Sequence, residues 1–409
     1  VGGEVTAKDL RRRLRRAERL NRLGAFALVG PLLLFLLVVF VMPIADMMRR
    51  SVHDPELGRV WPQVVVAIGG WTDRSRPPPE PVFKALAADM RASREAGNLA
   101  VAARRLNYDI ENGRSLVQNT ARRLPAEATS WTETFVAADP RWGEPETWGA
   151  IDRAAGPLTS FFLLAALDLQ RHADGAITPA PPQKSVYLDL LQRTFGIGLG
   201  VTVLCLLLGF PVAYLIAALP PARANLLLIL VLLPFWTSLL VRTTAWVVVL
   251  QERGLVNELM LWLGLIDRPV RLIYNRIGVV IAMTHVLLPF MILPLYSVMK
   301  AIRPDFMRAA ASLGAPPATA FLRVYLPQTL PGIAAGTLLV FIMAIGYYIT
   351  PALVGGAGDQ MISYFIAFYT SDTVNWGMAS ALGAVLLVAT LILYAVYVRL
   401  IGVDRMRLG

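Results

Sequence analysis

The sequence predicts an all-α polytopic membrane protein: six transmembrane helices, with one large insertion after the first. Three observations carry that prediction. Hydrophobic residues make up 56 % of the 409-residue chain, too large a share for a soluble globular protein. Several apolar runs exceed the roughly 18 residues that a hydrocarbon core requires. Between residues 51 and 185 the composition turns polar, and no window there is long enough to span.

Residues 1–22 carry Lys8, Arg11, Arg12, Arg13, Arg15, Arg16, Arg19 and Arg22 with few acids. Such a segment suits the cytoplasmic flank of a first membrane helix better than a nucleic-acid-binding arm. Val1 reads as a GTG start codon translated literally. Residues 23–50 form the first span, apolar from Leu23 to Ala45. The run is too long for the core of a signal peptide and no small-x-small site follows it, so it reads as uncleaved with the N-terminus inside. Arg49 and Arg50 follow on the outer side, against the positive-inside tendency.

Residues 51–185 read as a mainly helical extracytoplasmic domain, large enough to hold its own core. Leu106, Ile110, Phe161, Phe162, Leu163 and Leu167 are its candidate core positions. Sixteen acids and fifteen bases leave this segment nearly neutral. The chain's excess of +11 therefore lies beside the membrane segments, where positive charge sets topology and meets anionic lipid. No nucleic-acid partner is expected.

Residues 186–409 form a five-helix core. Thr194–Leu219, Ala224–Leu250, Arg276–Met299, Gly332–Leu353 and Ala379–Leu400 read as spans two to six. Pro220–Arg223 is an inside turn, and Gln251–Asn275 and Val354–Met378 are outside loops. Six spans put both termini on the cytoplasmic side of the membrane, along with Arg223, Lys300, Arg303, Arg323, Arg405 and Arg407.

The connector between spans four and five, residues 303–331, is more structured than an ordinary loop. Pro304 suits a first helical position, and Asp305 in the first turn complements the helix dipole. Phe306, Ala309, Ala310 and Leu313 recur at helical spacing. Gly314 is placed to end the helix in a left-handed cap. Pro316 or Pro317 opens a second short helix roughly perpendicular to the first, and Leu326-Pro327 and Leu330-Pro331 interrupt the chain before the next span.

This pattern resembles the coupling loop of binding-protein-dependent ABC importer permeases: Glu-Ala-Ala, a few residues, Gly, nine residues, Ile-x-Leu-Pro. Ala309, Ala310, Gly314, Val324, Leu326 and Pro327 match, while Arg308 stands where the family usually has glutamate. Leu240-Val241-Arg242-Thr243-Thr244-Ala245-Trp246 and Thr350-Pro351-Ala352-Leu353-Val354-Gly355-Gly356 are similar to segments of its spermidine/putrescine subfamily. The resemblance implies the type I ABC importer permease fold, with residues 303–331 docking on a separate cytoplasmic ATPase dimer that binds ATP and magnesium. It further implies a second, different permease subunit, an extracytoplasmic solute-binding protein, and import of a polyamine or a related small organic solute across the bacterial inner membrane. It leaves the 51–185 insertion unexplained.

Motifs for catalysis are missing. No glycine-rich turn precedes Gly-Lys-Ser/Thr, so no ATPase site is expected on this chain. His53, His172 and His285 are scattered, and His285 reads as a packed helix residue bonded to a carbonyl. Cys205 is the sole cysteine, which excludes an intramolecular disulfide and a Cys-rich metal site. Neither catalytic residues, a metal site nor a cofactor of its own is assigned to the chain. A secondary transporter or channel is the rival class, but such proteins usually show internal repeats or ionisable residues suited to ion coupling.

Within the spans Arg242 is the oddity, since a buried arginine costs roughly 2.5–3.5 kcal/mol on insertion scales. Two roles fit it: a lock onto backbone carbonyls or onto Glu252 or Glu258, or a place in the translocation path with Trp236, Ser238, Thr243 and Trp246. Pro234 weakens the helix nearby. Tyr347, Tyr348 and Thr350 fit either an interfacial aromatic belt or a gate. A cationic solute calls for carboxylates or aromatic faces, and the spans hold hardly a buried acid. Either the second subunit supplies acids or the solute is different, for example a small organic anion.

Overall fold

The computed structural model describes Gly24 and residues 26–401; the basic segment 1–22, Arg405 and Arg407 lie outside the described residues. Among the described residues, five helices are long and apolar enough to cross a membrane: α1 (Phe26–Arg50), α10 (Tyr187–Ala218), α14 (Arg276–Ala301), α16 (Pro317–Gly346) and α19 (Trp376–Arg399). A bent pair passes the same test only when taken together, and as one broken span it makes a sixth crossing. Its first half is α11 (Pro221–Leu232) with a 3₁₀ turn at Leu233–Trp236, and its second is α12 (Leu239–Leu250) with α13 (Leu255–Trp262). The halves, Pro221–Trp236 and Leu239–Trp262, bend by 97°.

That bend corrects the expectation of one continuous span over Ala224–Leu250. Pro234 has no amide hydrogen to donate, and Thr237 and Ser238 adopt extended ψ angles of 143°. Hydropathy runs unbroken across the site, so a window average does not register the turn.

The insertion holds α2 (Glu56–Val60), α3 (Pro62–Ile68), α4 (Glu80–Glu95), α5 (Leu99–Asp109), α6 (Gly113–Arg123), α7 (Trp131–Ala138), α8 (Pro145–Ala155) and α9 (Phe161–Ala166). An antiparallel hairpin, β1 (Leu169–Arg171) with β2 (Ile177–Pro179), closes it. Its core is aromatic. Phe83 meets Trp148 edge-on at 4.4 Å, and Phe135 meets Trp142 at 5.3 Å. Buried indoles need hydrogen-bond partners; Trp142 Nε1 donates to Thr120 Oγ1 at 2.8 Å and Trp148 Nε1 to the Trp142 carbonyl at 2.8 Å. The chain enters and leaves side by side, with the Asp54 amide donating to the Pro157 carbonyl at 3.0 Å and the Thr159 amide to the Val52 carbonyl at 2.8 Å.

Leu106 is fully buried in this core and Ile110 packs at its edge. Phe161, Phe162 and Leu163 turn away and join Met378 and Leu382 of α19 in a separate cluster. Leu167 stays 39 % exposed. The short helix α9 is thus the piece that fastens the insertion to the last membrane helix.

The membrane core is a triad of α10, α14 and α16. Gly332 and Gly336 bring α16 close to α14: a Cβ at Gly336 would lie 2.8 Å from Met291 Sδ. Small residues permit such approach where lipid offers no hydrophobic drive between helices. Tyr397 OH donates to the Ala334 carbonyl at 2.7 Å, tying α19 to α16.

The leucine-proline pairs do not interrupt the chain as expected. The helix opened by Pro317 is continuous through Gly346, and a π turn at Phe321–Tyr325 precedes Pro327. The wider turn accommodates the proline's missing donor. Gln328 Nε2 and Thr329 Oγ1 donate to the Val324 and Leu326 carbonyls at 2.8 and 2.7 Å. What reads as a second short helix is therefore the first turn of the fifth span, which ends at Gly346 rather than Leu353. Residues Ile349–Val354 form a separate short helix, α17.

Candidate functional site

The connector keeps one independent helix, α15 (Asp305–Ser312), with Pro304 as its N-cap at φ −58°. Asp305 in the first turn pairs with Arg303 at 2.9 Å and with Arg308 at 3.6 Å. Arg308, at the position usually occupied by glutamate, thus finds an acid on its own helix. Gly314 takes φ +83°. Its amide donates to the Ala311 carbonyl and the Ala315 amide to the Ala310 carbonyl, both at 3.0 Å, which is a Schellman termination that needs a left-handed residue at this position.

The anticipated apolar stripe divides. Ala310 is buried and Met307 packs on the membrane core. Ala309 is exposed; Phe306 and Leu313 are 49 % and 88 % exposed. Between two long apolar helices the chain therefore presents a short, capped helix with two large hydrophobic side chains facing outward. Val324 and Leu326 are partly buried and Pro327 is exposed on the first turns of α16. Tyr325 beside them is buried and stacks on Phe321 at 5.6 Å.

The residues singled out within the spans do not converge on one point. Arg242 sits on the broken crossing, where it donates through Nε to Thr237 Oγ1 at 3.2 Å and through Nη2 to the carbonyls of Thr237, at 2.9 Å, and Pro234. A cation there satisfies orphan carbonyls at the end of α11 and its 3₁₀ turn. Neither Glu252 nor Glu258 contacts it; both are exposed. Thr243 and Thr350 are buried together, hydroxyls 3.4 Å apart, joining α12 to α17. Trp246 Nε1 donates to His285 Nδ1 at 3.2 Å, so the histidine is held by an indole rather than a carbonyl. Trp236 is 75 % exposed, Ser238 is exposed, Tyr348 is 42 % exposed, and Tyr347 packs against the core.

A cavity of about 610 Å³ opens elsewhere, between α8, the β-hairpin, α18 (Ile362–Ser371) and α19. His172 lies on its wall, with Nε2 2.9 Å from Thr178 Oγ1 and Nδ1 3.3 Å from the accepting Glu146 Oε1. Arg153 pairs with Asp109 at 3.3 Å beside it. Tyr187 OH and Tyr369 OH meet at 2.6 Å on the opposite side. Burial, foremost, pushes the Tyr108 phenol up despite Arg104 nearby. No motif marks this cavity in the sequence, because its walls come from residues 108–187 and 369–378, brought together only by folding.

Two carboxylates in the insertion cap helices and are perturbed in opposite directions. Asp89, almost fully buried, accepts the Val64 amide at 2.8 Å at the start of α3. Burial pushes its carboxyl above the ordinary 3.8, outweighing the amide bonds. Glu80 accepts the Thr132 amide at 3.0 Å together with the Thr132 hydroxyl and the Trp131 amide. Burial raises it, but those hydrogen bonds together hold it below the ordinary 4.5.

Residues 206–402 match the family model described as binding-protein-dependent transport system inner membrane component. The spermidine/putrescine transport system permease protein PotB of Escherichia coli strain K12 is 36 % identical over 214 residues, covering 52 % of this chain and 78 % of that one. Its namesake from Haemophilus influenzae is also 36 % identical over 214 residues, covering 52 % of this chain and 75 % of that one. The inner membrane ABC transporter permease protein YdcU of Escherichia coli strain K12 is 31 % identical over 228 residues, covering 52 % and 72 %. Coverage, identity and the apolar helices agree: the chain belongs to the ABC importer permeases of the binding-protein-dependent inner membrane family.

Proposed function

We propose that this chain is one half of the pore of an ATP-driven importer for a polyamine or a related small organic solute, and that α15 couples it to a separate ATPase. The observation that carries the reading is the exposure of Phe306 and Leu313 on a short helix capped at Gly314. An exposed pair of large apolar side chains on a rigid helix suits docking into a groove. ATP and magnesium belong to the partner ATPase dimer, and closure of that dimer moves α15 and the start of α16 together. The π turn at Phe321–Tyr325 lies within α16 and packs against α15, linking the docking helix to the fifth span.

In this reading both termini and residues 303–331 are cytoplasmic, while residues 51–185 and the cavity beside them face outward, where a solute-binding protein delivers its cargo. A second, different permease subunit completes the pore. Arg242 holds the broken crossing in shape, and Trp236, Ser238, Thr243, Trp246, Tyr347, Tyr348 and Thr350 line or support the path. The substrate class rests on the relatives' names.

The test is co-purification of the full chain with its ATPase and binding protein, followed by uptake in proteoliposomes. Gly314→Pro, which cannot adopt a positive φ, is expected to lose the ATPase while the permease remains folded. Transport that proceeds without vanadate-sensitive ATP hydrolysis overturns the reading. Full transport and normal binding-protein docking after deletion of residues 55–180 removes the outer domain from it.

A further inference from the structure

Arg49 and Arg50 stand at the end of α1 on the side where positive charge is disfavoured, and the importer reading leaves them without a task. In the fold they line a cavity of about 300 Å³ between the ends of α1 and α19, with His53, Arg59, Phe162 and Trp376. The Arg50 guanidinium lies 5.7 Å from the centre of the Trp376 ring. Trp376 is 48 % exposed and begins the last apolar helix, as expected of an aromatic residue at a membrane boundary.

The charges do not cancel. Asp54 is engaged by Arg105 and Glu56 by Arg104 at 3.1 Å, so both carboxylates in the cavity wall are answered from the insertion side. Asp46 is shared by Arg49, at 2.7 Å, and Arg50, at 2.8 Å. Arg59 makes no ion pair among the described residues. One positive charge of the Arg49–Arg50 pair and that of Arg59 are left over.

Below this cavity the two helices leave an apolar groove. They touch through Met47 against Gly383, where a Cβ would lie 2.4 Å from the methionine methyl. Elsewhere α1 is exposed along its length: Ile44, Val41 and Phe40 are 48 %, 54 % and 55 % exposed. Surplus arginine charge at the level of a tryptophan, above an open hydrocarbon-facing groove, has the two-part chemistry of a phospholipid: an anionic headgroup and acyl chains.

We propose that this cavity is a binding site for one acidic phospholipid. The headgroup phosphate takes charge-assisted hydrogen bonds from Arg49, Arg50 and Arg59, and an acyl chain fills the groove between α1 and α19. The lipid strengthens the attachment of α1, whose contacts with the remainder of the protein are few.

Native mass spectrometry of the purified full-length complex tests the assignment, with phosphatidylglycerol, phosphatidylcholine of the same chain length, or inorganic phosphate added. One phosphatidylglycerol is expected to be retained in preference to phosphatidylcholine. Each arginine near the surface contributes about a five-fold preference for an anionic lipid, so Arg59→Gln lowers the ratio about five-fold and Arg50→Gln with Arg59→Gln about twenty-five-fold. Equal retention of the two lipids by the wild-type protein overturns the proposal without any variant. So does a ratio unchanged in Arg59→Gln, an exposed position. Displacement of phosphatidylglycerol by millimolar inorganic phosphate reduces the site to a phosphate pocket and refutes the lipid assignment.

Discussion

Replacing Asp54 by alanine is expected to loosen the joint between the outer domain and the last membrane helix. Arg105 lies on α5 with its side chain 1 % exposed, against Asp54 at 7 % and Asp109 at 6 %. Its guanidinium also sits over the rings of Phe161 and Phe162, 5.2 and 5.4 Å from their centres, and Nη2 already has no hydrogen-bond partner. Deleting one member of a buried ion pair costs about 3–5 kcal/mol, because the other charge stays buried. Asp109 remains at 3.4 Å, so the low end of that range, about 3 kcal/mol, applies. For an insertion of this size that corresponds to a fall in Tm of about 10 °C. The three fully buried indoles of Trp61, Trp142 and Trp148 report unfolding of the insertion by fluorescence. Because buried pairs add little over apolar packing, Asp54→Leu with Arg105→Met should recover most of the loss. A fall of less than about 2 °C in the single variant, the range of an ordinary surface substitution, or a double variant worse than the single one, would refute the reasoning.

Four further outcomes are expected. Gly314→Ala meets open space, so it suffers only the left-handed strain at φ +83°, about 1–2 kcal/mol; ATPase co-purification should weaken several-fold without the complete loss expected with proline. Arg242→Met frees the Pro234 and Thr237 carbonyls, at a cost of about 2–4 kcal/mol, and both the steady-state level in membranes and solute uptake should fall, with Arg242→Lys intermediate. The Asp89 carboxyl is raised on folding, so its contribution to stability is full below the ordinary 3.8 and is lost as pH rises through the higher folded value; Asp89→Asn should gain on the wild type in Tm as pH rises from 4 to 7, and an unchanged difference contradicts this. Gly332→Val would place a Cβ 3.1 Å from that of Val298 and 3.2 Å from the Pro294 carbonyl, so the thermal midpoint of the membrane core should drop by several degrees, consistent with overpacking at about 1–3 kcal/mol.

Much of the architecture is legible in local sequence because it depends on local sums. Apolar runs mark the spans, since the free energy of inserting a helix accumulates residue by residue over about 20 positions. Gly314 and Asp305 mark the ends of α15 because capping involves atoms only a few residues apart. Tertiary structure decided the remainder. The Leu233–Leu239 bend is stabilised by a guanidinium reaching back five and eight residues to free carbonyls, and hydropathy carries no term for that. The leucine-proline pairs pass through a continuous helix because a π turn and two side-chain donors stand in for the missing backbone bonds. Phe162 serves the last span and not the insertion core because α9 lies between them, a placement set by contacts more than 200 residues apart in sequence. The same holds for Arg49, Arg50 and Arg59: their charge is plain in the chain, but the tryptophan beside them and the groove beneath exist only once α1 and α19 are packed together.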